Sequence, residues 1–277
     1  MSEMLEKARK YEFIQGQQIK EEERPAFHIT PYVGWMNDPN GFSCYKGEYH
    51  LFYQYNPYST HWDSMHWGHV VSKDLLHWNY VPTALAPDED YDKFGCFSGS
   101  AIELEDGRQL LMYTSVNQEK LEDGTVRDIQ TQAVAVGDGK NYKKYEKNPV
   151  LTPFDGLKDF RDPKVFWYAP DQKWVMVVSA DKEMRFYSSE NLKEWTYMSG
   201  WGEGYGVQPS QFECPDMVEL PVDGNPDHKK WALIVNVNPG CYFGGSATQY
   251  FIGDFDGEKF VCDNKPETPK TSFPGKD

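Results

Sequence analysis

A short pattern that occurs twice, 117 residues apart, constrains the fold more than any other feature of the sequence. Ser72–Trp78 (SKDLLHW) and Ser189–Trp195 (SENLKEW) are two copies of S-x-[DN]-L-x-x-W, and weaker echoes are GDGKNYKKY and GDFDGEKF. One marker for each copy falls at Ser72, Asp138, Ser189 and Asp254. The intervals between markers are 66, 51 and 65 residues, a little longer than the ~40–50 residues of common propeller repeats. This spacing predicts four-stranded β-propeller blades with long loops, and the alternative explanation is chance similarity in an aromatic-rich chain.

The segments around the markers are typical of short β-strands. Runs such as YHLFYQY, QLLMYTSV, KWVMVVSA and KWALIVNV are separated by turn pairs such as Asp106-Gly107 and Asp223-Gly224. No stretch between them keeps a helical period, so the sequence predicts an all-β chain. Because inner strands of different propeller blades converge on a central channel, residues far apart in sequence are expected to meet there.

Charge and composition exclude some classes of partner. The 277 residues include 43 acids and 28 bases, and the net charge of -15 argues against a nucleic-acid partner, which requires clustered Lys and Arg. Aromatic residues make up 16% of the chain. Such a content fits a β-rich core and also fits sugar binding, in which flat apolar rings meet the C–H faces of the sugar.

The sequence predicts neither a metal nor an organic cofactor. The five cysteines are widely spaced with no C-x-x-C pair, so we expect no disulfide framework and a cytoplasmic location. His61, His66 and His69 lack an accompanying pattern of acidic or cysteine ligands, which predicts packing and hydrogen-bonding roles for them.

The N-terminal segment, residues 1–26, is expected to be a lead-in with a short helix. Met4, Leu5, Ala8 and Tyr11 recur at helical spacing, and charges are mixed throughout the segment. No apolar run has the length of a signal peptide or a membrane span, so no membrane partner is predicted.

Three acids stand beside prolines in unusual local contexts. They are Asp38 in WMNDPNG, Asp162 in FRDPKVF and Glu213 in QFECPDM, and the markers place them in the first, third and fourth repeats. Proline biases the chain toward extended structure, and we expect these acids at or just ahead of the start of a blade's apolar strands. Retaining glycoside hydrolysis needs one carboxylate as nucleophile and a second as proton donor. A third acid can stabilise the positive transition state electrostatically.

These motifs resemble the signatures of glycoside hydrolase family 32, the invertases, sucrose-6-phosphate hydrolases, inulinases and levanases. The resemblance continues through YHLFYQYNP, HWGHVVSKDLLHW, GCFSGSA and TQYFIGDFDG, so that it covers roughly Phe27 to Phe260. It implies that Asp38 is the nucleophile, Glu213 the acid/base and Asp162 the transition-state stabiliser. It also implies a fructose subsite lined by Asn37, Gln54, Trp62, Phe97, Ser98 and Arg161. We further expect the Arg161 guanidinium to keep the neighbouring Asp162 ionised.

The resemblance also implies a five-bladed propeller followed by a β-sandwich, of which this sequence encodes about four blades. We therefore expect a catalytic propeller over residues 27–262 and a C-terminal tail over 263–277. The chain is then a truncated piece, a natural short form, or one whose ring a second copy or another partner chain completes. Unpaired blade edges would favour such pairing.

The leading hypothesis is a β-fructofuranosidase that cleaves sucrose or sucrose 6-phosphate with retention, with a small sugar as its partner. Within the same family, a fructan hydrolase or a fructosyltransferase would use the same three acids. An inverting relative acting on arabinose-containing glycans would share the propeller and lack WMNDPNG. From a different class, the chain would be a sugar-binding or inactive propeller.

Overall fold

The described part of the chain folds into four antiparallel sheets of four strands each. The computed structural model describes residues 1–208, 210–238, 241 and 244–266. The fold divides into two compact units, Met1–Thr152 and Pro153–Asp277. None of the helices among these residues is long and apolar enough to cross a membrane.

The first unit contains one helix and two sheets. Helix α1 spans Glu3–Gly16, and a 3-10 turn follows at Glu21–Glu23. The first sheet is formed by β1 (Trp35–Tyr45), β2 (Glu48–Asn56), β3 (His66–Ser72) and β4 (Trp78–Leu85). The second sheet is formed by β5 (Gly95–Glu103), β6 (Gln109–Lys120), β7 (Val126–Gly137) and β8 (Tyr142–Lys144).

The second unit contains the other two sheets and a 3-10 turn at Ala169–Asp171. The third sheet is formed by β9 (Phe160–Tyr168), β10 (Lys173–Ala180), β11 (Glu183–Ser189) and β12 (Thr196–Trp201). The fourth sheet is formed by β13 (Phe212–Val222), β14 (Asn225–Val237), β15 (Ala247–Phe255) and β16 (Phe260–Cys262).

Each sheet is a meander in which consecutive strands pair, the repeat from which propeller blades are built. The predicted all-β class with four blades is confirmed. Within the first unit the first strands of the two sheets, β1 and β5, lie side by side, and within the second unit β9 and β13 do the same. Of the predicted tail, residues 267–277 lie outside the described residues.

The sequence repeat corresponds to one turn, between the third and fourth strands of every sheet. In each turn a side-chain oxygen accepts hydrogen bonds from two backbone N–H groups, two and three residues further on. The residues that supply it are Asp74, Asp138, Asn191 and Asp256. The structural period is therefore 64, 53 and 65 residues. Of the four sequence markers, only Asp138 is itself a turn acceptor. The other three, Ser72, Ser189 and Asp254, each precede the acceptor of their sheet by two residues.

The residue after the turn acceptor has a positive φ in all four sheets. Two turns use glycine, Gly139 and Gly257, which adopts this conformation without steric cost. The other two use leucine, Leu75 at φ 66° and Leu192 at φ 64°. A Cβ atom in this conformation costs roughly 1–2 kcal/mol. An aromatic side chain then follows four residues after each acceptor, at Trp78, Tyr142, Trp195 and Phe260.

Each unit has its own hydrophobic core. In the first unit, Phe52, Trp67, Leu111 and Tyr113 belong to a cluster between the two sheets. In the second unit, a larger cluster between the two sheets includes Val177, Phe186, Met217, Leu233 and Phe255. Alternate positions along the strands supply these side chains, because successive side chains point to opposite faces of a sheet.

Helix α1 protects the outer edge of the first sheet. The buried Glu12 carboxylate accepts hydrogen bonds from Thr83 N (2.9 Å) and Thr83 Oγ1 (2.7 Å), and Arg9 Nε donates to the Thr83 carbonyl (2.9 Å). Burial raises the pKa of Glu12. Because Thr83 lies on β4, these side chains satisfy backbone groups that a fifth strand would otherwise pair.

Three buried histidines lie on adjacent strands of the first sheet. His50 Nδ1 and His69 Nε2 are 3.0 Å apart, so one of these nitrogens is the donor and the other the acceptor. His66 hydrogen-bonds through Nδ1 to the Ser64 carbonyl. Burial lowers the pKa of all three rings, that of His66 to about 4. The predicted packing and hydrogen-bonding roles of His66 and His69 fit these contacts.

The strained turn predicts that Leu75→Gly stabilises the protein. Glycine adopts the left-handed conformation without the steric cost of the exposed Leu75 side chain. Glycine also has more conformational entropy in the unfolded chain, which offsets part of this gain. The net result is a free energy of unfolding that is higher by about 1 kcal/mol. Urea denaturation measures it. Leu76→Gly is the matched control, since Leu76 is also exposed but has no positive φ, and it should destabilise. Equal effects of the two substitutions would refute the strain argument.

The buried imidazole of His66 predicts a stability that falls in mild acid. The unfolded ring has a pKa near 6.5 and the folded ring one of about 4, so between these values the unfolded chain binds more protons and stability falls as the pH falls. From pH 7 to pH 5 the expected loss from this group is about 2 kcal/mol. Urea denaturation at both pH values should show a smaller loss in His66→Gln. The exposed His228→Gln should keep the wild-type loss, and identical pH dependence in all three proteins would contradict the prediction.

Candidate active site

The three predicted acids lie on the first strands of three different sheets. Asp38 is on β1, Asp162 on β9 and Glu213 on β13. The prediction placed them at or ahead of each blade's apolar strands, and the structure places them within the first strand itself. In each unit, the first strands of the two sheets lie side by side.

Every first strand leaves its regular ladder where the predicted site residues lie. The register shifts between Met36 and Pro39 on β1, between Phe97 and Gly99 on β5, across 161–164 on β9, and between Glu213 and Asp216 on β13. Such bulges bend a strand and redirect its side chains. Proline explains three of them, because Pro39, Pro163 and Pro215 have no N–H to donate to the ladder.

Asp38 is held by hydrogen bonds from two neutral side chains. Ser98 Oγ donates to Asp38 Oδ2 (2.9 Å), and Asn37 Nδ2 donates to Asp38 Oδ1 (3.1 Å). The Asp38 side chain is partly exposed. Both neighbours were predicted site residues, and the structure brings them together with the acid. The contacts orient a carboxylate that still has access to a ligand.

A buried amide fixes the direction of the Ser98 hydrogen bond. Its neighbours fix the orientation of the Asn40 amide: with the nitrogen toward Ser98, Asn40 Nδ2 donates to Ser98 Oγ (3.1 Å), and Asn40 Oδ1 accepts from Gln54 N (3.2 Å) and Gln54 Nε2 (3.0 Å). Gln54 Nε2 also donates to the Cys96 carbonyl (3.0 Å). Because Ser98 Oγ accepts from Asn40, its own hydrogen is directed to Asp38. Gln54 was predicted to line the subsite, and in the structure it is buried behind this chain of bonds.

Two predicted aromatic residues form a cluster with a third. The Trp62 ring lies 5.9 Å from the Phe97 ring, edge to face, and 5.8 Å from the Phe94 ring. Nearly half of the Trp62 side chain is exposed. Phe97 precedes Ser98 in β5, so an open apolar surface adjoins the residues that hold Asp38. Such a surface suits the C–H face of a sugar.

Asp162 and the residue after Glu213 share an unusual backbone conformation. Asp162 has φ 65° and Cys214 has φ 45°, and each precedes a proline. Cys214 N donates to Asp162 Oδ2 (2.8 Å), so the strained peptide of one bulge binds the carboxylate of the other. Left-handed conformations of such residues cost about 1–3 kcal/mol each and concentrate at functional sites.

Arg161 bridges Glu213 to another carboxylate. Arg161 Nη2 donates to Glu213 Oε1 (2.5 Å), and Arg161 Nη1 donates to Asp159 Oδ1. Its Nε lies 4.0 Å from Asp162 Oδ2. Burial alone would lower the pKa of Arg161, but these carboxylates outweigh it and hold the pKa above its ordinary value. The expected neighbour Asp162 is present at 4.0 Å, and Glu213 and Asp159 form additional, shorter contacts that were not predicted.

Asp159 is itself anchored by the β10–β11 turn. Asp159 N donates to Asp181 Oδ1 (2.9 Å) and Asp181 N donates to the Asp159 carbonyl (2.9 Å). The Asp181 carbonyl accepts from Phe212 N (2.8 Å) at the start of β13. One turn therefore ties the entry of β9 to the entry of β13, the strands that carry Asp162 and Glu213.

Sequence reasoning missed three residues that contact the predicted ones, namely Asn40, Phe94 and Asp159. Asn40 lies inside the WMNDPNG motif, so its position was available as a signal. Asp159 could have been recognised in the sequence as a second acid, two residues before Arg161. Phe94 had no sequence signal beyond its aromatic ring. Within the described ranges, no group of three His, Cys, Asp or Glu side chains is arranged to hold a metal ion.

Residues 28–273 match the family model described as the glycosyl hydrolases family 32 N-terminal domain. Among curated proteins, the chain is 48% identical to a levanase of Bacillus subtilis strain 168 over 89% of this chain and 36% of the levanase. It is 39% identical to an invertase of Debaryomyces hansenii over 87% of this chain and 46% of the invertase. The chain thus spans less than half the length of these relatives.

Two solved structures of related enzymes are also similar to this chain. The exo-inulinase of Aspergillus awamori superposes with a TM-score of 0.77 at 38% identity, over 87% of this chain and 52% of that one. A mutant Bombyx mori GH32 beta-fructofuranosidase in complex with sucrose superposes with a TM-score of 0.78 at 35% identity, over 93% of this chain and 55% of that one.

The buried bridge at Arg161 predicts a stability loss in Asp159→Asn. Side-chain exposures of 11% for Arg161 and 13% for Asp159 leave this pair little solvent screening, so losing its charge should lower the free energy of unfolding by about 2 kcal/mol in urea denaturation. Asp106→Asn is the matched control, because Asp106 pairs with Arg108 at the same two-residue spacing but both are more than half exposed. That control should show no measurable change, and the prediction fails if the two variants behave alike.

Proposed function

The chain belongs to glycoside hydrolase family 32, and on this premise we propose that it hydrolyses terminal β-fructofuranosyl bonds, those of sucrose and of fructans, with retention of configuration. One observation supports this most. Two of the three motif acids are held in place by side-chain donors, Asp38 by Ser98 and Asn37 and Glu213 by Arg161. Retaining hydrolysis needs two such positioned carboxyl groups, one as nucleophile and one as proton donor.

The proposed first step uses Asp38 as nucleophile. An Asp38 oxygen attacks the anomeric carbon of the fructosyl unit, the bond from that carbon to the glycosidic oxygen breaks, and Glu213 delivers a proton to the leaving oxygen. The hydrogen bonds from Ser98 and Asn37 keep the Asp38 oxygens as acceptors, ready to attack.

The proposed second step releases fructose. Glu213 removes a proton from water, the water oxygen attacks the anomeric carbon, and the bond to Asp38 breaks so that the free carboxylate returns. Asp162 is proposed to stabilise the positive charge that develops on the sugar ring in both steps. The hydrogen bond from Cys214 N supports this role, since it holds the carboxylate in one orientation.

The relatives support a substrate range wider than sucrose alone. Their names include a levanase, invertases and exo-inulinases, and one solved relative holds sucrose. We propose that this chain accepts the fructosyl end of sucrose and of longer fructans, with sucrose 6-phosphate as a third candidate substrate. The apolar surface formed by Trp62 and Phe97 is the proposed contact for the sugar ring. Because the chain spans only part of its relatives, activity at this length is part of the proposal.

The central test is the release of fructose from sucrose, levan and sucrose 6-phosphate. Asp38→Asn should lower turnover by roughly 10⁴-fold, because the nucleophile is lost, and Glu213→Gln by about 10²–10⁴-fold, because proton transfer is lost. Glu219→Gln is the matched control on the same strand, an exposed side chain paired with Lys229, and should leave turnover unchanged.

Product analysis completes this test. Nuclear magnetic resonance of the first fructose released should show the β-anomer, as retention requires. A glucose yield well above the fructose yield would indicate transfer of fructose to another sugar. Near-normal turnover in Asp38→Asn would refute the mechanism. Binding of fructose by a folded chain that releases no product would favour a sugar-binding protein over an enzyme.

A further inference from the structure

Asp181, in the turn between β10 and β11, is linked to the candidate active site in two places. Its Oδ1 accepts from Asp159 N (2.9 Å), and its own N donates to the Asp159 carbonyl (2.9 Å). Asp159 lies two residues before Arg161. The Asp181 carbonyl accepts from Phe212 N (2.8 Å), and the residue after Phe212 is Glu213. One turn residue therefore contacts the chain just ahead of two predicted site residues.

The first of these links continues through side chains to Glu213. The Asp159 carboxylate accepts from Arg161 Nη1, and Arg161 Nη2 donates to Glu213 Oε1 (2.5 Å). The side chains of Arg161 and Asp159 are only 11% and 13% exposed, so solvent weakens their contact little. Because a guanidinium is planar and presents its donors in a fixed fork, the position of Asp159 constrains where Glu213 is held.

The backbone conformation at position 181 does not itself require a carboxylate. Asp181 has φ 51°, a left-handed conformation that glycine adopts without steric cost and that asparagine also tolerates. The hydrogen bond from Asp159 N, in contrast, needs a side-chain oxygen on this residue. Substitution can therefore remove the side-chain link and keep the turn.

We propose that Asp181 is a positioning residue for Glu213, the proposed proton donor. Its side chain holds Asp159, Asp159 holds the guanidinium of Arg161, and that guanidinium holds Glu213 in one place relative to the leaving oxygen. This inference rests on the proposed function, because it names a further residue that supports the proposed proton transfer. The proton is transferred in the transition state, so a misplaced Glu213 lowers kcat and leaves KM nearly unchanged.

The test compares two substitutions at position 181 in the full chain, with sucrose as the substrate. Asp181→Gly keeps the turn conformation and removes the side-chain oxygen, so kcat should fall by about tenfold while KM stays within about twofold. Asp181→Asn keeps an oxygen that can accept from Asp159 N, so kcat should stay within about threefold of the wild-type value. Urea denaturation shows whether each variant is folded under the assay conditions.

A second substrate separates proton donation from a general disturbance of the site. Cleavage of p-nitrophenyl β-D-fructofuranoside releases p-nitrophenolate, a leaving group stable enough to depart without being protonated. For Asp181→Gly, kcat/KM with this substrate should stay within about twofold of the wild-type value, whereas kcat/KM with sucrose falls about tenfold. A merely structural defect would lower both values equally.

Asp223→Gly is the matched control. Asp223 is an exposed aspartate in the turn between β13 and β14, it has nearly the same φ of 52°, and it lies ten residues after Glu213. Because Asp223 is at the far end of β13 from Glu213, this substitution should leave the cleavage of both substrates at the wild-type rate.

The outcomes distinguish the positioning role from the proposed function. Unchanged sucrose turnover in Asp181→Gly, or an equal loss on both substrates, overturns the positioning role while the proposed function stands. An Asp181→Asn chain as slow as Asp181→Gly overturns it too, because the retained oxygen would have no effect. An unfolded Asp181→Gly would also overturn it, since the side chain would then serve the fold. If the wild-type chain releases no fructose from either substrate, the proposed function fails, and the positioning role fails with it.

Discussion

The interruption of each first strand by a bulge is the constraint on which the rest of the site depends. A regular strand would place successive side chains on alternate faces of its sheet, and the motif acids would then point into the faces that pack against neighbouring structure. Pro39, Pro163 and Pro215 make the interruption obligatory, because a proline cannot donate to the neighbouring strand. In every sheet the second and third strands pair without a register shift, so the distortion at the motifs does not extend through the sheet.

The distortion in the second unit costs free energy that local contacts offset. Asp162 and Cys214 both hold positive φ angles, about 1–3 kcal/mol each, and the hydrogen bond from Cys214 N to Asp162 Oδ2 exists only when both are in place. The two strained residues therefore stabilise each other. Asp181 adds a further constraint, because its backbone and carboxylate tie together the entries of the two strands. Preorganisation of this kind spares a substrate the cost of ordering the site.

The sequence alone predicted the all-β class, the four blades and the family, because these depend on period and on contiguous motifs such as WMNDPNG. The sequence also predicted the repeat, but it matched Ser72 with Asp138, and both are typical turn residues. The hydrogen bonds show that the residue equivalent to Asp138 is Asp74, two positions after Ser72. Partners that depend on packing were harder to foresee. The pairing of Arg161 with its sequence neighbour Asp162 was expected and is present, whereas its hydrogen bonds to Glu213 and Asp159 depend on how the strands pack. The boundaries at residues 26 and 262, the cytoplasmic location and the residue roles stay predictions.

The guanidinium of Arg161 is the charge that organises the carboxyl groups of the second unit. It donates to Glu213 and Asp159 and lies 4.0 Å from Asp162, so three carboxyl groups share one positive charge. Because a guanidinium is planar and presents its donors in a fixed fork, the position of one carboxyl group constrains the positions of the others. Glu213 has the most exposed side chain of the three, so it is the one that a ligand can reach most readily.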